Sequence, residues 1–220
     1  MFINIINKPE QEPKPRRSRT IQEMRKEGCL FKFWDGIDDP TLAVHIRINR
    51  SHKKIVQWAK DKGLEMVCIA EDDIKWCDRG AWQHFLDNIP CDFDIYLGGI
   101  SQAMTPPDTE GRLTDWAGMH LYIVHSRFYD RFLSSNDDID IDRSMSAREH
   151  RAKMIENKCR QKGHIKWADA ISKKHFGVFK MCLPMAAIQY NGHSYHIGRE
   201  INYDHYFRVF PQYKSVDMMS

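Results

Sequence analysis

The run Met66-Val67-Cys68-Ile69-Ala70, followed at once by Glu71-Asp72-Asp73, constrains the fold more than any other segment. A strand with one wet face alternates polar and apolar residues, so five apolar residues in succession imply burial on both faces. That is the place of an interior strand in a parallel sheet covered by helices on each side. The flanking segments supply the other elements: strands at Phe2–Ile6, Leu30–Trp34, Ile95–Leu97, His120–Val124, Val178–Met181 and Met185–Ile188. Thr20-Ile21-Gln22-Glu23 reads as a capping box that opens a helix closed at Gly28, and Ser51 as the cap of a helix with the stripe Ile55, Val56, Ala59. Further helices are predicted over Gly80–Asn88, after Ser126, and from the capping box Ser146-Ala147-Arg148-Glu149 toward Gly163. Strands alternating with helices predict the α/β class, with a central, mostly parallel sheet flanked by helices.

Three adjacent carboxylates after a buried strand repel one another unless something compensates them. In open α/β sheets ligands bind at the carboxyl ends of the strands, which is where this cluster falls. Hard oxygen donors so close together suit Mg²⁺ or Mn²⁺, and such an ion can bridge the diphosphate of a sugar nucleotide. The alternative is a solvated turn in which Asp72 or Asp73 caps a helix. Two rival clusters are placed less well. Asp92-Phe93-Asp94 precedes its strand, and the acidic stretch from Asp137 to Asp142 follows no buried strand.

The formal charge of +3 permits an anionic partner without demanding one. No apolar run approaches the roughly 20 residues of a membrane span, and Met1–Ile6 is too short for a signal peptide. The six cysteines form no CxxC pair and mostly sit among apolar residues, as reduced core cysteines do. A cytoplasmic location, in a bacterial cell or a virus-infected host, is the expectation.

Several segments in succession resemble glycosyltransferase family 25, the lipooligosaccharide and collagen galactosyltransferase type. The first strand, Arg16-Arg17, and Phe33-Trp34-Asp35-Gly36-Ile37-Asp38 resemble its N-terminal block. Ser51-His52-Lys53 followed by Val67 to Ile74 resembles its serine-histidine helix and acidic strand end. Asp94 to Gly99, His120 to Val124, Trp167-Ala168-Asp169, and Leu183-Pro184 to Gln189 with Ser194 resemble its later blocks. The resemblance implies a GT-A fold, a nucleotide-sugar donor with UDP-sugar foremost, and inversion at the anomeric carbon. It implies a single domain over residues 1–220, with 1–100 as the donor-nucleotide half and 101–220 as the acceptor-side half. The chain departs from the pattern at Ser194, which Tyr195 and His196 follow instead of an acidic residue, and over Asp108–Asp115. Both departures concern the acceptor, which is left open among a glycan, a protein hydroxyl and a hydroxylated base of viral DNA.

Roles follow for named residues. Asp73 is the first metal ligand, while Glu71 and Asp72 complete the coordination or hold the donor ribose within the catalytic centre. His193 and His196 are candidates for a third ligand, against the plainer reading of surface histidines. Asp169 is the candidate base for the acceptor hydroxyl, against a helix cap, with Asp142 and Asp115 behind it. Arg16, Arg17 and Arg19 can reach the diphosphate or base, or else form a basic loop. Asp35, Ser51, His52, Gly98 and Gly99 complete the donor site, although Asp35 also serves as a turn residue and His52 as a support for the acidic turn. The tryptophans are expected in the core, with Trp116 as a sugar-stacking candidate. A metal-dependent phosphotransferase or nuclease is the rival enzyme class, but the chain has neither a second acidic strand end nor a Gly-rich phosphate loop. A nucleotide- or nucleic-acid-binding module leaves the carboxylates unexplained.

Overall fold

A computed structural model of the chain describes residues 1–8, 16–103, 106–113, 116–134, 177–194 and 199–202. In chain order the elements begin with β1 (Phe2–Asn7), α1 (Arg16–Lys26), β2 (Leu30–Asp35), α2 (Val44–Asp61), β3 (Met66–Glu71), β4 (Ile74–Trp76) and α3 (Ala81–Asp87). Next come β5 (Ile95–Gly99), β6 (Gln102–Ala103), β7 (Trp116–Ala117), β8 (Leu121–His125) and α4 (Tyr129–Ser134), then β9 (Phe179–Met181), β10 (Ala187–Gln189), β11 (Gly192–Ser194) and β12 (Arg199–Ile201). Six strands form the main sheet in the order β2-β1-β3-β8-β5-β9. Of these, β8 runs antiparallel to its two neighbours, and the other pairings are parallel. This is the mostly parallel, helix-flanked sheet that the sequence predicts.

The alternation of side chains along each strand divides the core between the two faces. Val67 and Ile69 of β3, Ile95 and Leu97 of β5, and Tyr122 and Val124 of β8 meet Ile55, Val56 and Ala59 of α2 and Phe132 of α4. Cys68, Ala70, Tyr96, Leu121 and Ile123 face the other way, onto Met24 of α1 and Trp82 and Phe85 of α3. Both sets are buried, which is why β3 reads as an unbroken apolar run. A polar pair is built into this frame: Asn4 donates to the Cys68 carbonyl at 3.0 Å and accepts from Trp34 Nε1 at 2.9 Å.

Two helices start earlier than the capping signals predict. α1 begins at Arg16, and the Thr20 hydroxyl is shared between the Arg16 carbonyl at 2.8 Å and the Asp72 carbonyl at 2.6 Å. α2 begins at Val44, so Ser51 lies within the helix and does not cap it. Its hydroxyl bonds back to the Arg47 carbonyl at 2.7 Å and accepts from the Ile37 N–H at 2.8 Å. The late strand predicted at Met185–Ile188 is β10, which pairs with β4 and lies outside the main sheet. Trp116 is buried against Phe179, ring centroids 5.3 Å apart, which corrects its reading as a sugar-stacking surface residue. Cys29, Cys68 and Cys182 are buried as expected, while Cys91 is exposed, and all are free thiols. The helix predicted from Ser146 toward Gly163 lies outside the described residues. Among the described residues no helix is long and apolar enough to cross a membrane.

α1 is fastened to the rest of the fold through Glu23. This buried carboxylate accepts from the Trp76 N–H at 3.1 Å, from the Tyr190 hydroxyl at 2.7 Å and from Lys26, while its carbonyl accepts from Trp76 Nε1 at 2.9 Å. Burial works to raise its pKa, but the bonds from Lys26, Tyr190 and Trp76 prevail and hold it below the usual carboxylate range. Glu27, at the end of the same helix, caps α3 by accepting from the Gly80 and Trp82 N–H groups. The left-handed backbone of Gly80, φ 84°, allows the chain to enter α3 at this angle. Removing the Glu23 carboxylate strands the buried Trp76 N–H and the half-buried Tyr190 hydroxyl, so Glu23→Ala is expected to cost about 3 kcal/mol and Glu23→Gln less. Urea unfolding of the two variants beside the parent chain checks the order.

Candidate active site

At the carboxyl edge of the sheet β3 ends in Glu71, and Asp72 and Asp73 form the turn into β4. The turn is narrow because β4 must pair at once with β10, which places Gln189 opposite Ile74. The Asp73 carbonyl accepts from the Tyr190 N–H at 2.8 Å, and the Glu71 N–H donates to the His120 carbonyl at 3.0 Å. Hence the acidic turn is held from β3, β8 and β10 together.

Asp72 points toward the end of β1 and the start of α1. Its carboxylate accepts from the Lys8 N–H at 3.2 Å and from Arg16 Nη1 at 3.1 Å. Asp73 lies 3.7 Å from the same guanidinium nitrogen. On the other side, the Gln189 amide donates to both remaining carboxylates: Nε2 is 3.3 Å from Glu71 Oε2 and 3.4 Å from each Asp73 oxygen. Gln189 is itself held by Ser101, whose hydroxyl donates to its Oε1 at 2.7 Å. His52 lies behind Glu71, with Nε2 at 3.5 Å from Oε1 and Nδ1 at 2.6 Å from the Tyr122 hydroxyl. Burial keeps the Tyr122 phenol protonated. A phenol donating to Nδ1 leaves the imidazole proton on Nε2, facing Glu71.

The electrostatic result is a surplus of buried negative charge. Burial raises the Asp72 pKa, with Arg16 pulling it back. Burial, and then repulsion from Glu71 and Asp72, pushes Asp73 up to about 7 against the pull of Arg16. Among the described residues no three His, Cys, Asp or Glu side chains converge as a complete metal cage. Mg²⁺ and Mn²⁺ do not need one, because they keep waters and bind through one or two carboxylates plus substrate phosphates. Glu71 and Asp73, which share one amide donor, fit that partial set.

The other expected site residues fall in several places. Arg16 is at the cluster. Arg19, one turn along α1, lies over the Tyr190 ring at 4.2 Å. Asp35 ends β2 at the same edge of the sheet and is exposed. Ser51 holds the Ile37 loop there, and His52 supports Glu71. Gly98 and Gly99 are packed against protein: a Cβ at Gly98 would stand 2.7 Å from Phe85, and one at Gly99 2.4 Å from His120. His193 belongs to β11, while Asp169, His196, Asp142 and Asp115 lie outside the described residues. Asp92 and Asp94 are at the opposite edge, where both accept from Arg127 at 2.7 Å. Gln189, absent from the sequence reading as a site residue, is the main addition. Its signal is only its place in the Leu183-to-Gln189 block, since the pairing that brings it to Asp73 spans 116 residues.

No family model matches the chain, and no curated protein matches it. Among solved structures it is similar to a glycosyltransferase involved in the glycosylation of the major capsid of PBCV-1, at 12% identity and a TM-score of 0.38, over 60% of this chain and 64% of that one. It is also similar to HddC from Yersinia pseudotuberculosis complexed with GMP-PN, at 10% identity and a TM-score of 0.40, over 82% and 88% of the two chains. A third is a Drosophila β-1,4-galactosyltransferase 7 variant in complex with manganese, UDP-Gal and xylobiose, at 11% identity and a TM-score of 0.35, over 59% and 51%. The chain thus spans just under two thirds of the first of these proteins and about half of the third.

His120 links the site to stability. Its Nε2 lies 3.0 Å from the Ala187 carbonyl, its buried Nδ1 has no hydrogen-bond partner among the described residues, and burial lowers its pKa to about 4. The unfolded chain takes up this proton as pH falls through 6.5, whereas the folded chain does so only near 4. Stability is therefore lost across that window, by on the order of 3 kcal/mol. Urea unfolding from pH 7 to pH 4 should show a smaller loss, by about that amount, in His120→Gln than in the parent chain.

Proposed function

We propose that the chain is a glycosyltransferase that takes a sugar from a nucleotide-sugar donor, with UDP-sugars as the first class to test. The observation that carries this reading is the part-buried pair Glu71 and Asp73 at the carboxyl end of the central strand, which share one amide donor beside Arg16. A binding module needs no such charge, and a cation with a diphosphate neutralises it. Glu71 and Asp73 would hold Mn²⁺ or Mg²⁺, which when bound neutralises the charge building on the departing diphosphate. Arg16 faces the same phosphates, and Arg19 stands one turn beyond it. Asp72 keeps Arg16 in place by its ion pair, and His52 orients Glu71 from behind. Asp35 is the residue for the nucleoside. His193 and His196 are kept as further ligand candidates.

The transfer itself needs an acceptor hydroxyl as nucleophile. Its oxygen bonds to the anomeric carbon as the bond from that carbon to the diphosphate oxygen breaks, and its proton passes to a carboxylate. Asp169 is the proposed base, and inversion follows from a single displacement. A glycan, a protein hydroxyl and a modified base in viral DNA remain the acceptor classes, within a cytoplasmic setting.

Thermal unfolding with nucleotide sugars and Mn²⁺ tests the proposal, because a ligand at 100 times its Kd raises stability by about 2.7 kcal/mol. The parent chain should gain stability with the donor and metal together. Asp73→Ala should lose that gain while keeping the circular dichroism of the folded chain. An unchanged donor response in Asp73→Ala, or full donor binding in EDTA, overturns the metal-dependent reading.

A further inference from the structure

We infer that Gln189 is a reversible amide ligand that holds the cation's place while the site is metal-free and joins the coordination, by turning over, when a divalent cation enters. The inference rests on the cation reading given above and names a residue that reading does not use.

Gln189 is buried at the end of β10, with both ends of its amide engaged. Nε2 sits between Glu71 and Asp73, at 3.3 and 3.4 Å, and Oε1 accepts from Ser101 Oγ at 2.7 Å. Both carboxylates reach this one N–H₂ group, so the amide's partial positive charge stands where a cation could bridge them. Side-chain amides present chemically opposite ends on nearly identical shapes, so a half-turn about the last torsion exchanges donor for acceptor without moving the backbone. The partner on the far side is suited to both states, because a serine hydroxyl donates to Oε1 in one and accepts from Nε2 in the other. A backbone carbonyl in its place would not allow both, since it could only accept. After the turn Oε1 faces the carboxylates and becomes a neutral oxygen donor, of the type hard divalent cations accept beside carboxylates and waters. The protein donors then number three, Glu71 at the end of β3, Asp73 in the turn and Gln189 of β10, which the β4–β10 pairing sets beside that turn.

The sign of one substitution separates this role from simple space-filling. If the amide merely compensates charge in the metal-free chain, Gln189→Leu removes a competitor of the cation, and Mn²⁺ affinity stays equal or rises. If the amide turns and ligates, Gln189→Leu loses a ligand, and affinity falls about tenfold or more. Gln189→Glu, which supplies a charged oxygen in the same place, should bind Mn²⁺ at least as tightly as the parent chain, with a lower metal-free unfolding midpoint from the added repulsion. Isothermal titration of the full chain with MnCl₂ alone, without donor, reads all three affinities, and Asp73→Ala serves as the reference for loss of the site. Equal or tighter binding by Gln189→Leu, with Asp73→Ala impaired, overturns the amide role and leaves the cation site standing. An absence of Mn²⁺ binding by the parent chain overturns both. Should Gln189→Leu fail to fold, Gln189→Glu decides: binding at least tenfold weaker than the parent chain's contradicts a ligand at this position.

Discussion

The buried contact between Asp72 and Arg16 is the constraint on which the rest of this edge of the fold depends. A carboxylate taken out of water needs charged or N–H partners, and Asp72 finds them in Arg16 and the Lys8 N–H. Those partners lie at the end of β1 and the first turn of α1, so a single side chain sets where one strand stops and where the first helix begins. Its carbonyl extends the same tie to Thr20. With Asp72 committed to this structural duty, Glu71 and Asp73 share the Gln189 amide of β10, and Asp73 keeps Arg16 at 3.7 Å on its other side. The acidic triplet is thus divided, one member tied to β1 and α1 and two to the amide of Gln189.

That division was not legible in the sequence, where the three carboxylates look equivalent. What was legible rests on local signals. The apolar run of β3 requires two covered faces whatever its partners are, and Gly80, which opens the Gly80–Asn88 helix, acts within its own turn. The hidden parts depend on partners distant in the chain. β4 is only three residues long, too short for periodicity to show, and exists because β10 pairs with it. Gln189 acquires meaning only through that pairing. Ser51 and Thr20 carried the right residue type for helix caps, but each hydroxyl is engaged by a neighbour from another segment, Ile37 in one case and Asp72 in the other. A local preference gave way to a tertiary bond worth more in a buried setting.

The His52–Tyr122 pair shows how much of the site is set by the core beneath it. Tyr122 belongs to β8 and stacks on both the His52 ring and Phe132. The orientation of Glu71 is thereby coupled to packing on the α2 and α4 face, far from any water. Glu23 and Tyr190 do the same on the other face through β4. The acidic turn is pinned from both layers, which fits a site whose geometry must survive the repulsion inside it.

The reversed direction of β8 has a further consequence. Because β5 runs toward the carboxyl edge and β8 runs away from it, the chain leaves the sheet after Gly99 and re-enters at Leu121 on the same side as the acidic turn. Ile100, Leu113 and Trp116 anchor both limbs of this connection in the core, and Gln102–Ala103 pairs with Trp116–Ala117 at the same edge. Lengthening such a connection costs only about 0.6 kcal/mol for each doubling. Insertion beyond the β6–β7 pairing can therefore change what overhangs the carboxyl edge while the strand registers beneath it are kept.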